Sequence, residues 1–91
     1  MSQVASIGGL NAELFPNPAT DKATVKFNAA DAGNYSLVLY DVLGNKMLST
    51  DGVAVQGENL IELNLATVAK GMYVLSVIGN ENSEQIRVVV E

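Results

Sequence analysis

The sequence predicts an all-β fold: an immunoglobulin-like antiparallel β-sandwich of seven to eight short strands. Three observations lead there. Apolar and polar residues alternate with a period of two over 23–28 and 61–65, the pattern of a strand with one buried and one wet face. Turn residues recur about every 8–12 positions. Only 66–70 has helical character, and Gly71 breaks it before more than one turn can form.

Residues 1–11 are small and polar with a Gly8-Gly9 pair, and read as a linker ahead of a folded unit at 12–91. Residues 12–15 form a short strand that Pro16 stops, because proline has no N–H for the ladder and restricts the residue before it. Asn17-Pro18 turns the chain, and Ala23, Val25 and Phe27 then bury one face of the next strand. Residues 29–34 read as a hairpin loop leading into 35–42, apolar at nearly every position and therefore central in its sheet. Leu43-Gly44-Asn45 is a turn in which Gly44 supplies a positive φ, so 46–50 returns antiparallel until Asp51-Gly52 ends it. Residues 53–56 and 60–65 flank a turn at Gly57-Glu58-Asn59, with Ile61, Leu63 and Leu65 on one face. The final pair, 72–78 and 85–90, is joined by 79–83. The expected core is aliphatic: Val25, Phe27, Leu37, Leu39, Leu63, Leu65, Tyr73, Leu75, Val77, Ile86 and Val88.

Composition closes most chemistries. A chain of 91 residues is one domain with one core. No cysteine means no disulfide, thiolate metal site or thiol nucleophile, and no histidine removes the commonest general base and metal ligand. No cofactor is expected. A net charge of −5 repels phosphate backbones and anionic lipid, which argues against a nucleic-acid partner. The longest apolar runs, 73–78 and 88–90, are far too short to span a bilayer. The first nine residues have no basic segment followed by an apolar one, so they do not read as a signal peptide; the chain reads as a piece of a longer precursor, with Met1 added ahead of it.

Several positions carry both a structural and a functional reading. Pro16, Asn17 and Pro18 make a rigid corner, and also a surface that a partner can read. Asp41 is placed to accept backbone N–H bonds in its turn; a Ca²⁺ or catalytic role shared with Asp31 or Asp51 would need convergence in space, and the spacing fits no EF-hand loop. Gly71 suits a positive φ or tight packing, and Tyr73 is expected to be buried up to its hydroxyl. Ile86, Arg87, Val88, Val89, Val90 and Glu91 form a closing strand with Arg87 and Glu91 facing water, or a sheet edge open to docking by strand addition.

Taken in order, Leu14-Phe15-Pro16-Asn17-Pro18-Ala19, Tyr40-Asp41-Val42-Leu43-Gly44-Asn45-Lys46 and Gly71-Met72-Tyr73-Val74-Leu75 resemble the C-terminal sorting domain of the Por, or type IX, secretion system. The resemblance spans about 13–91. It implies a non-enzymatic address on a larger exported protein, recognised by the outer-membrane translocon, with a sortase cutting it from an N-terminal passenger that goes to the cell surface or the medium. Where that family commonly ends in lysine-containing runs, this chain has Arg87 and Glu91. The rival is a carbohydrate-binding or spacer sandwich attached to a secreted hydrolase. Such sugar-binding faces usually expose aromatics, and the aromatics here are Phe15, Phe27, Tyr35, Tyr40 and Tyr73, most at positions expected to be buried.

Overall fold

The computed structural model describes residues 10–79 and 82–91. Among them run seven strands: β1 (Glu13–Phe15), β2 (Lys22–Ala29), β3 (Gly33–Asp41), β4 (Lys46–Ala54), β5 (Gly57–Asn64), β6 (Gly71–Ile78) and β7 (Ser83–Val90). They form two antiparallel sheets, one in the order β1-β2-β5 and the other β4-β3-β6-β7. Successive strands alternate in direction, so the sandwich has two distinct ends. The chain enters β1 near Leu10, whose carbonyl accepts from the Asn28 N–H at 2.8 Å, and leaves β7 at Glu91 at the other end. They are called here the Leu10 end and the Glu91 end.

The period of two puts Ala23, Val25 and Phe27 of β2 against Leu37, Leu39, Leu75, Val77 and Val88 of the facing sheet, all buried. Phe27 meets Tyr35 edge to face, with ring centroids 5.6 Å apart. Ten of the eleven expected core residues are buried, and Ile86 packs half-buried against them. β3 is flanked by β4 and β6, and Val38 on its outer side is also buried, as its two-sided apolar pattern requires. Leu10 is 4% exposed, so the packed unit includes a residue ahead of the expected start at 12; residues 1–9 lie outside the described residues.

Three local expectations are corrected. Residues 30–32 do not close a hairpin: β2 pairs with β1 and β5, β3 with β4 and β6, so the turn is an arch from one sheet to the other. Asp51-Gly52 does not end β4. Gly52 pairs with Tyr35 across the ladder, and the Tyr35 ring lies where a Cβ on Gly52 would be, 2.6 Å from the ring Cζ. Neighbouring aromatic cover lets a glycine stay in an edge strand, and the Ser36 hydroxyl bonds Asp51 Oδ1 at 2.7 Å. Gly57-Glu58-Asn59 is likewise strand, paired with Ala29, Asn28 and Phe27; the crossover sits one step earlier, at Val55-Gln56. Buried Asn59 holds it: Oδ1 accepts from Val55 N–H at 3.0 Å and Nδ2 donates to the Val55 and Gly57 carbonyls. Residues 66–70 make one turn, with Val68 N–H bonded to the Leu65 carbonyl at 3.0 Å.

Candidate recognition site

Register brings the three separated motifs together at the Glu91 end. Asp41 pairs with Tyr73 and Tyr73 with Val88, while Gly71 pairs with Val90 and Val90 bridges Ala19 in parallel. Residues far apart in the chain thus occupy two rows at one sheet end, separated by the single Met72–Val89 row.

The corner at Pro16-Asn17-Pro18 forms because the chain must leave one sheet and reach the other. Both X–Pro bonds, Phe15–Pro16 and Asn17–Pro18, are cis. Beyond the corner the backbone lies along the outer edge of β7. Ala19 N–H donates to the Val89 carbonyl at 2.8 Å, and Glu91 N–H donates to the Ala19 carbonyl at 2.8 Å. Asn17 extends this pairing with its side chain: Nδ2 donates to the Arg87 carbonyl at 2.9 Å and Oδ1 accepts from Val89 N–H at 3.1 Å. A primary amide carries one donor side and one acceptor side and so imitates a peptide group of a neighbouring strand. Asn17, and not either proline, is the residue of the motif that touches β7 through side-chain bonds.

The expectation of an unprotected terminal edge is therefore revised. β7 is the edge strand of its sheet, but from Arg87 to Glu91 its outward peptide groups are engaged by Asn17 and Ala19. An edge covered by another segment does not invite pairing with foreign strands. Val88 and Val90 point into the core, Val89 is half-buried on the outer face, and Arg87 and Glu91 are exposed. The side chains of Arg87 and Glu91 remain available even though the backbone does not.

The two internal motifs stiffen this end. Asp41 Oδ1 accepts from Leu43 N–H and Asn45 N–H, both at 2.9 Å, and Oδ2 accepts from the Asn45 amide at 3.0 Å. The main chain adds Gly44 N–H to the Asp41 carbonyl at 3.0 Å and Asp41 N–H to the Asn45 carbonyl at 2.9 Å. Gly44 has φ +89°, as the turn reading required. Donation from Asn45, first by its backbone and then by its side chain, holds the Asp41 carboxyl below the ordinary carboxylate range, with Leu43 and Gly44 adding to it. These three donors hold the carboxylate against its own turn, so Asp41 acts as a turn residue; Asp31 and Asp51 lie toward the Leu10 end. Gly71 has φ +153°, which residues with a Cβ rarely adopt, and Tyr73 is buried with its hydroxyl donating to the Ala69 carbonyl at 2.6 Å.

Among the described residues no cluster of three carboxylates stands ready for a metal ion. Phe27, Tyr35 and Tyr73 are buried, Tyr40 is half-buried and Phe15 is 44% exposed, so the aromatics form no flat exposed platform. Sequence reasoning missed Ala19 and the pairing role of Asn17. The sole signal was a small residue after the second proline, which many turns share.

Comparison with known proteins gives the following. No curated protein matches the chain by sequence. In structure it is similar to dimeric latent PorU from Porphyromonas gingivalis, with a TM-score of 0.72 at 19% identity over 87% of this chain, which corresponds to 9% of that chain. That likeness shows the sandwich fold. The family model described as the secretion system C-terminal sorting domain matches residues 13–91, from the first strand through the covered terminal edge, and the chain belongs to that family.

Proposed function

We propose that this domain is a non-enzymatic address on a larger exported protein, read at the outer-membrane translocon of the type IX system and then cut from its passenger by a sortase. The observation that supports this most is convergence: the three separated segments that resemble the family's motifs meet at one end of the sandwich, around Asn17, Asp41, Tyr73 and the terminal strand. Binding is the whole of its mechanism. Pro16, Asn17, Pro18, Gly44, Gly71 and Val88 to Val90 build and brace the surface, and Arg87 and Glu91 are the terminal side chains it offers. The sortase cut falls upstream of the folded unit, in the linker region or in the chain ahead of it. The passenger's destination is the cell surface or the medium.

The test is made in the full precursor. Removing residues 88–91 traps the passenger in the periplasm. Because Val88 and Val90 also belong to the core, the companion variant Arg87→Glu/Glu91→Lys changes only exposed side chains, with stability expected to shift by less than ~0.5 kcal/mol each. A passenger that still reaches the surface after the deletion contradicts the reading.

A further inference from the structure

The turn that Asp41 braces needs polar caps and a glycine, and those roles fall to Asp41, Gly44 and Asn45. Positions 42 and 43 have no such duty. Yet they are Val42 and Leu43, 72% and 84% exposed, in a turn held by five hydrogen bonds that converge on Asp41 and Asn45. Leaving two aliphatic side chains in water while fixing their direction is unfavourable for an isolated domain, and exposed apolar groups gathered on one surface mark a binding face.

They are not isolated. On the outer face of the four-stranded sheet, β3 and β6 place half-buried Tyr40 beside half-buried Val74, and β6 and β7 place Met72, 52% exposed, beside half-buried Val89. Met72 directly precedes Tyr73, the register partner of Asp41, so this row and the turn belong to the same end. The row holding Tyr40 and Val74 has Lys46 at one edge and Arg87 at the other, and Lys70 stands two residues ahead of Met72. Among the described residues the one ion pair is Lys26–Glu58, elsewhere on the other sheet, so these three cations are unpaired. The charge is divided between the ends. In the half toward Glu91, Lys22, Lys46, Lys70 and Arg87 balance Asp21, Asp41, Glu62 and Glu91; the half toward Leu10 sets Lys26 against Glu13, Asp31, Asp51, Glu58 and Glu84.

We propose that the Glu91 end, where the exposed turn residues Val42 and Leu43 stand beside the outer-face row of Met72, is the surface on which the domain seats against a protein of the secretion machinery, whose receiving surface is an apolar groove bordered by carboxylates. An apolar centre with a charged rim is the ordinary build of a protein interface. The cations Lys46, Lys70 and Arg87 call for carboxylates opposite them. A turn fixed in advance saves ordering entropy against a shaped groove and brings no such gain at a fluid bilayer, and a domain of net charge −5 is repelled by anionic lipid. The proposal rests on the sorting-domain reading and names the face that reading leaves open.

The experiment uses the chain fused behind an inner-membrane export signal and a fluorescent protein, in a bacterium with the type IX system. Val42→Ser/Leu43→Ser and Met72→Ser are compared with Val53→Ser and Ile78→Ser, which remove exposed aliphatic groups, 74% and 40% exposed, toward the Leu10 end. Leu43→Asp serves as a second, single change at the most exposed of these side chains. Denaturation midpoints of the purified domains are expected to agree. Exported reporter is expected to fall by about tenfold or more for the patch variants, as when central anchors of an interface are removed, and to stay at the unsubstituted level for the controls. Export of the patch variants at that level, or an equal fall in the controls, overturns the proposal. Failure of the unsubstituted fusion to leave the periplasm defeats the sorting reading itself. Flotation of the domain with phosphatidylglycerol vesicles, abolished by Leu43→Asp, would put a bilayer in place of the protein partner.

Discussion

Asn17→Ala tests the link between the opening corner and the terminal strand. The substitution removes two hydrogen bonds, 2.9 Å to the Arg87 carbonyl and 3.1 Å from Val89 N–H, and leaves both Ala19 bonds in place. A net hydrogen bond is worth about 0.5–1.5 kcal/mol, and water replaces exposed partners at little cost. The pair is therefore worth about 1–2 kcal/mol, a melting point lower by about 4–16 °C in a domain of this size. Thermal unfolding followed by circular dichroism gives the total, and amide hydrogen exchange gives the location: Val89 N–H should lose protection while Leu75 N–H in the sheet centre does not. An unchanged melting point together with full protection at Val89 would refute the pairing role of Asn17.

Other outcomes follow from the same geometry. Gly71→Val should cost about 1–3 kcal/mol in the denaturation midpoint; a Cβ there meets Tyr73 atoms only at 3.8 Å and beyond, so the cost comes from φ +153° and not from crowding. Gly52→Ala drives a Cβ into the Tyr35 ring, which is buried against Phe27, and should cost about 1–3 kcal/mol in the same measurement. The Asp41 carboxyl is held lower in the fold than in the unfolded chain, so its stabilisation is present above about pH 4 and disappears as pH falls through the folded value. The gap in melting point between the unsubstituted domain and Asp41→Asn should then be larger at pH 7 than at low pH, where the carboxyl is protonated. A chelator should leave the β-sheet circular dichroism unchanged, because an aliphatic core carries the fold.

The strands were legible where one face is buried, because period-two alternation reports burial directly. Val25, Phe27 and Leu63 were readable for that reason. Pairing between strands was not, since alternation does not say which sheet a strand joins, and a short turn at 30–32 suits an arch as well as a hairpin. Gly52 misled because glycine usually punctuates, and the ring that covers it comes from Tyr35, 17 positions earlier. The motif residues were visible one by one as turns, a corner and an end strand. Their meeting was not, because it depends on the register that sets Tyr73 between Asp41 and Val88 and on a side chain, Asn17, standing in for backbone. The exposed pair Val42 and Leu43 read as strand end and turn, and only fractional exposure separates them from the buried aliphatics around them.

Sufficiency is the most direct test of the account. The chain is attached to a fluorescent protein that carries an inner-membrane export signal, and the reporter outside the cell is measured against the reporter in the periplasm, in a strain with the type IX translocon and in one lacking it. The account predicts reporter at the surface or in the medium in the first strain and periplasmic retention in the second. Retention in both, with the domain folded and the translocon exporting its own cargo, would contradict it.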